Sequence, residues 1–140
     1  MTVTDFLLPV FVEVALTFAL LLRTALGRVS SLRSGEVKAD DIALGEPGWS
    51  KTTTQYGNAF KNQFELPVLF YVLIAFILIT RVGDILLLVL AWIFVILRLA
   101  HAYIHTTGND VLLRGRIYGG GLVVLLAMWI IFAVKILTGT

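Results

Sequence analysis

Four long runs of apolar residues dominate the chain, and shorter polar stretches separate them. The runs extend roughly over Phe6 to Leu26, Ala59 to Thr80, Asp84 to Thr106 and Val111 to Leu137. A helix needs about 20 consecutive apolar residues to cross the hydrocarbon core of a bilayer, and each run is long enough. The pattern therefore predicts four membrane-spanning helices that fill a single domain over residues 1–140.

The connections between the runs indicate how the helices are arranged. The first connection is long, from about Arg28 to Thr54, whereas the second and third are tight turns around Gly83 and Gly108. Short connections make consecutive helices antiparallel neighbours. Asp5 stands where a cleavable signal would carry Lys or Arg, so we expect the first run to be retained as a span. The predicted fold is all-α, an antiparallel four-helix bundle in a membrane.

The composition agrees with a membrane protein and excludes several classes of function. Of the 140 residues, 59% are hydrophobic and 14% are charged, whereas a soluble domain has about 25% charged residues. Cysteine is absent, which excludes disulfides, thiolate metal sites and a cysteine nucleophile. The net charge of +2 is small and spread over loops and helix ends, so nucleic-acid binding is not expected.

The basic residues predict an orientation in the membrane. They concentrate around the first connection and just after the third, at Arg23, Arg28, Arg33, Lys38, Lys51, Lys61, Arg114 and Arg116. The second connection carries only Arg81 and the C-terminal end only Lys135. Because cytoplasmic loops are enriched in Lys and Arg, we expect the first and third connections in the cytoplasm and both termini on the opposite side.

Polar side chains inside the last three spans concentrate toward that predicted cytoplasmic end. They are Asn58, Asn62 and Glu65 in span two, Arg98, His101 and His105 in span three, and Arg114 and Tyr118 in span four. In each span the members are three, four or seven residues apart, which places them on one face of a continuous helix. Three polar stripes at one depth predict a shared site.

The cost of these groups in lipid limits what they can do. A charged residue at the centre of a span costs about 2.5–3.5 kcal/mol on the insertion scale, so such groups pair, snorkel or line a wet cavity. One alternative is purely structural: Glu65 pairs with Arg98 and the other groups snorkel. Glu13 stands alone in span one, toward the outer side, where we expect it to snorkel or to contact another subunit. Pro67 is expected to kink span two.

Two chemical alternatives compete with simple ligand binding. His101 and His105 are four residues apart, as in helical zinc sites, and Glu65 could add a third ligand. Arg98 and Arg114 would repel a cation, so no metal is expected. A proton relay or a small transporter built on the same carboxylate and imidazoles is the other alternative. The excess of donors instead favours an anionic, peptide-like ligand, and an arginine beside a bound thiol would favour its thiolate.

Several of these residues resemble the MAPEG superfamily, the membrane-associated proteins in eicosanoid and glutathione metabolism. Asn62-x-x-Glu65 followed by Pro67 is similar to its span-two signature, Arg98-x-x-His101 to its span-three motif, and Arg114-x-x-x-Tyr118 to its span-four motif. The resemblance covers nearly the whole chain. It implies a homotrimer that binds glutathione between neighbouring subunits, near the cytoplasmic face, while lipophilic substrates arrive through the bilayer.

The resemblance also implies roles for individual residues. Arg114 would stabilise the glutathione thiolate, and Lys61 would meet a glutathione carboxylate. The remaining tripeptide ligands would be Asn62, Glu65, Arg98, His101 and Tyr118, with Asn58 and His105 at two further positions of the same site. Family enzymes often carry Arg at the position of Asn58 and Tyr at that of His105, and their proline often lies one residue further along.

The function implied is a glutathione-dependent transferase or peroxidase that acts on lipophilic electrophiles or lipid hydroperoxides. The alternative is a non-catalytic lipid- or glutathione-binding membrane protein of the same fold, which the missing arginine at Asn58 favours. The resemblance is to bacterial members, so we expect the inner membrane of a bacterium.

Overall fold

The computed structural model describes residues 1–45 and 47–139, and this part of the chain is helical without a strand. Five α-helices follow one another: α1 (Val3–Arg33), α2 (Lys51–Lys61), α3 (Leu66–Thr80), α4 (Ile85–Thr106) and α5 (Val111–Thr138). Two short 3₁₀ turns complete the fold, at Ala39–Ile42 and at Asn62–Phe64. Four helical stretches are long and apolar enough to cross a membrane, at 3–33, 51–80, 85–106 and 111–138. The predicted all-α membrane bundle is confirmed.

Side chains at the helix starts explain where three of the helices begin. Asp84 accepts a hydrogen bond from the Leu87 amide at 2.9 Å, and Asp110 accepts one from the Leu113 amide at 3.0 Å. Ser50 caps α2 in the same way. Such caps satisfy amides that have no partner within the helix. With Ser50 as its cap, α2 begins at Lys51, ahead of the predicted span, and α1 continues past its predicted span to Arg33, so both helices extend into the first connection.

The bundle packs around an apolar core contributed by α3, α4, α5 and Phe6 of α1, and α1 also packs against α2, α3 and α4. Phe70 of α3 stacks on Phe94 of α4 with their ring centroids 4.8 Å apart. Leu87 and Met128 are fully buried in the same core. Large apolar side chains such as Phe18 and Ile79 cover the outside. An apolar exterior is what a bilayer requires.

Polar contacts mark the two ends of the bundle. At one end the first and third connections lie together, and Gln55 Nε2 donates to the carbonyl of Thr107 at 3.4 Å. At the other end Lys135 of α5 forms an ion pair with Asp84 at 2.8 Å, next to the second connection. The first and third connections therefore share one end. Which side of a membrane that end faces stays a prediction.

Span two is broken, and this corrects the continuous helix assumed from the spacing of its polar residues. Helix α2 ends at Lys61, and α3 begins at Leu66 with Pro67 in its first turn. Between them, residues 62–65 form the break, in which Glu65 has φ −98° and ψ −107° and is not helical. Proline lacks the amide that would continue the hydrogen-bond ladder and is tolerated at a helix start. The predicted kink is thus confirmed as a break.

Candidate functional site

A polar cavity of about 420 Å³ opens at the end of the bundle that holds the first and third connections. Its volume lies within the range of small-molecule sites, roughly 300–1,000 Å³. Residues from α2, the break, α4, the third connection and α5 line it: Asn58, Lys61, Asn62, Glu65, His105, Asn109 and Arg114. All of these residues except Asn109 were predicted from the sequence. Glu65, however, reaches the cavity because span two is broken, whereas the prediction assumed one continuous helix.

Glu65 is the acid of the cavity, and two neighbours hold it. Tyr118 of α5 donates its hydroxyl to Glu65 Oε2 at 2.9 Å. The hydrogen-bonding network favours the orientation of the Asn62 amide in which its nitrogen donates to both Glu65 oxygens, at 3.0 and 3.1 Å. Its oxygen then accepts from His105 Nδ1 at 3.3 Å.

Asn109 is the residue of the cavity that the sequence did not reveal. It adopts φ +52°, a left-handed conformation that asparagine tolerates better than most residues. Its amide donates to the carbonyl of Ile104 at 2.8 Å, which closes the end of α4. Its side-chain oxygen accepts a hydrogen bond from Arg114 Nη1. A turn residue therefore orients the guanidinium of Arg114 beside the cavity.

Arg98 lies behind the cavity and pairs with Glu13, which corrects two expectations. Glu13 is completely buried, and its Oε1 lies 3.8 Å from Arg98 Nε. Glu13 therefore neither snorkels nor stands alone. It lies at the depth of Arg98, and not toward the outer side where it was expected. Glu65 contacts Tyr118 and Asn62, so the alternative that paired it with Arg98 is wrong.

His101 and Tyr118 lie next to the cavity without lining it. The His101 ring is buried, with its centroid 5.6 Å from that of Tyr118 and 5.7 Å from that of His105. Tyr118 also faces Arg98, whose Cζ lies 5.8 Å from the ring centroid. Among the described residues no group of three His, Cys, Asp or Glu side chains could hold a metal ion. Binding of a tripeptide by Arg98, His101 and Tyr118 stays a prediction.

The fold and the cavity define a class of protein: a multi-pass helical membrane bundle with a cation- and amide-lined cavity near one end. The family model of the MAPEG family matches residues 6–134, so this chain belongs to the MAPEG family. The predicted family is thereby confirmed, and membership supports a membrane protein of glutathione or eicosanoid metabolism. No curated protein and no solved structure matches the chain at a significant level.

Proposed function

We propose that the protein is a glutathione-dependent transferase or peroxidase that acts on lipophilic electrophiles or lipid hydroperoxides in the membrane. One observation carries this proposal: in a member of the MAPEG family, Lys61 and Arg114 line a cavity together with the carboxylate of Glu65. Glutathione presents two carboxylates and one ammonium, which complements two cations and one acid.

The residues of the cavity divide the recognition of glutathione among them. Lys61 would pair with a carboxylate, and Glu65, held by Tyr118 and Asn62, would accept from the ammonium or an amide. Asn58 and His105 add hydrogen-bonding groups at the wall. Arg114, oriented by Asn109, would lie beside the thiol, because a neighbouring guanidinium favours the thiolate.

The thiolate is the reacting species in both proposed reactions. In the transferase reaction water takes the thiol proton and the sulfur forms a bond to an electrophilic carbon. That carbon's bond to its leaving group, or the π bond of an activated alkene, breaks at the same time, and the released anion or carbanion takes up a proton. In the peroxidase reaction two glutathione molecules give one disulfide, and the hydroperoxide becomes an alcohol and water. The exposed apolar helix faces allow the lipophilic substrate to approach through the bilayer.

The assembly and orientation belong to the same proposal. We infer a homotrimer with glutathione bound between neighbouring subunits, in a bacterial inner membrane. The first and third connections, and with them the cavity, would face the cytoplasm, where glutathione is available. The concentration of Lys and Arg around these two connections supports this orientation.

The test is formation of the thiolate by the purified protein. With millimolar glutathione, wild type is expected to develop ultraviolet absorbance of the thiolate, and Arg114→Ala is expected to lose it, with at least a hundredfold lower conjugation rate. Arg116→Ala is the matched control, because Arg116 lies two residues away and is exposed. Absence of thiolate absorbance and of conjugation in wild type would refute the enzymatic proposal.

A second function, ligand binding without turnover, is favoured by Asn58. This residue lines the cavity at the position where family enzymes often carry arginine, so the cavity has two cations instead of three. A binding protein would show saturable calorimetric titration with glutathione or its S-alkyl conjugates and no product. Turnover of a lipophilic electrophile would exclude this alternative.

A further inference from the structure

Among the described residues, the three most deeply buried polar side chains are given no role in the function proposed above. Glu13 of α1, Gln63 of the break and Arg98 of α4 are 0%, 2% and 1% exposed, and none of them lines the cavity. We call these three residues the buried triad. Burying two charges in a bundle is costly unless they are paired and hydrogen-bonded, so the contacts of the triad indicate what it is for.

Gln63 joins the two charges. In the orientation favoured by its partners, its amide nitrogen donates to Glu13 Oε1 at 2.8 Å, and its oxygen accepts from Arg98 Nη2 at 3.2 Å. The direct contact between Glu13 and Arg98 is longer, at 3.8 Å. Neither Glu13 Oε2 nor Arg98 Nε has a hydrogen-bond partner in the described part of the chain. The carboxylate therefore acts on Arg98 by charge and through Gln63.

Arg98 in turn holds the backbone of the break. Its Nη2 donates to the carbonyl of Asn62 at 3.2 Å. In a continuous helix that carbonyl would accept from the amide four residues later, but the break leaves it only a long bond from the Glu65 amide, at 3.4 Å. The guanidinium supplies the donor that the broken helix lacks. Asn62 and Glu65, the two residues joined by that long bond, both line the cavity.

We propose that the Glu13–Arg98 pair has a positioning role: through Gln63, Glu13 fixes Arg98, which holds the Asn62 carbonyl and so sets Asn62 and Glu65 at the cavity. The chain of contacts runs from α1 through the break to the cavity wall. Its consequence is that ligand affinity depends on a buried pair of side chains that does not line the cavity.

The test separates positioning from stability by removing both charges together. Glu13→Leu/Arg98→Met replaces the pair with apolar groups of similar size, which is often neutral or stabilising. We expect its thermal midpoint in detergent to stay within a few degrees of wild type. We also expect at least tenfold faster hydrogen exchange of amides 63–66 and at least tenfold weaker glutathione binding by calorimetry.

A conservative variant and a matched control complete the test. Glu13→Gln keeps an oxygen that can accept from Gln63, the contact through which Glu13 fixes Arg98, so its exchange rates and affinity should stay within about threefold of wild type. Leu87→Ala, in the core near the opposite end of α4, should lower the thermal midpoint without changing exchange of amides 63–66 relative to the rest of the chain.

Each outcome has one meaning. If the double variant is stable and keeps wild-type exchange in the break, the positioning role is wrong, whatever its affinity. If the break opens but glutathione affinity is unchanged, the link to the cavity is wrong. The affinity readout rests on the proposed function, whereas the exchange readout does not. Wild type that binds no glutathione would therefore overturn the proposed function, and the exchange data would still decide whether the Glu13–Arg98 pair holds the break.

Discussion

Two ion pairs join helices in the described part of the chain, and they differ in almost every physical respect. Glu13 and Arg98 link α1 to α4 inside the bundle, where both side chains are at most 1% exposed. Asp84 and Lys135 link the start of α4 to the last turns of α5, with side chains 36% and 23% exposed. The exposed pair is the closer one, at 2.8 Å against 3.8 Å.

The comparison shows that the shorter distance does not identify the more important pair. Water near Asp84 and Lys135 screens their attraction, and exposed pairs contribute about 0–1 kcal/mol. Burying the Glu13–Arg98 pair requires the desolvation of two charges, which offsets their attraction. The large effect on stability appears when one member of the pair is removed. Removing one partner of a buried pair costs about 3–5 kcal/mol, because the other charge stays buried and uncompensated.

The largest expected effect is therefore that of Glu13→Leu alone. It leaves the Arg98 guanidinium in the bundle without its carboxylate, and we expect the free energy of unfolding to fall by about 3–5 kcal/mol. Chemical unfolding of the detergent-solubilised protein measures this change. Asp40→Leu serves as a control, because it removes an exposed carboxylate from the first connection. If both variants lose the same small amount, the buried pair does not differ from a surface charge.

Lys135→Ala tests the other side of the comparison and should have a much smaller effect. The lost attraction to Asp84 is expected to cost about 0–1 kcal/mol of unfolding free energy. Because salt screens exposed charges, the difference from wild type should shrink further as ionic strength rises to about 1 M. A loss as large as that of Glu13→Leu would mean that the contact between α4 and α5 depends on this pair.

The two pairs also show which features were predictable from the sequence. Run length and helical spacing, which are local properties, predicted the number of spans and the fold class. They also predicted that one end of the bundle holds Asn62, Glu65, His105 and Arg114. The Glu13–Arg98 pair was not predictable, because spacing places a residue on a face of its own helix and does not say which helix lies opposite. Partners far apart in the sequence meet only when the whole bundle has packed.

Two further residues were missed for different physical reasons. Gln63 is neutral and stands between Asn62 and Phe64, so nothing in its type marked it as the bridge between two buried charges. Asn109 follows Gly108 in the predicted third turn, where it has a φ of +52° and its amide closes the end of α4. Its second role, accepting from Arg114, depends on where α5 begins. Asparagine at a left-handed position shortly before an arginine is the signal that could have suggested it.

The smallest expected effect is a pH dependence at the exposed pair. Partial burial of Asp84 raises its pKa. Hydrogen bonds from the Leu87 amide and from Lys135, together with the positive charge of Lys135, lower it by more, so the pKa lies below its usual value of 3.8. A lowered folded-state pKa gives stability that is present above the unfolded pKa and is lost as pH falls through the folded value.

Asp84→Asn keeps an N-cap and removes the titration. The stability difference between wild type and this variant should therefore be constant above about pH 5 and shrink below about pH 4, by less than about 1 kcal/mol. A difference that grows on acidification would show that the Asp84 carboxylate is disfavoured in the folded state.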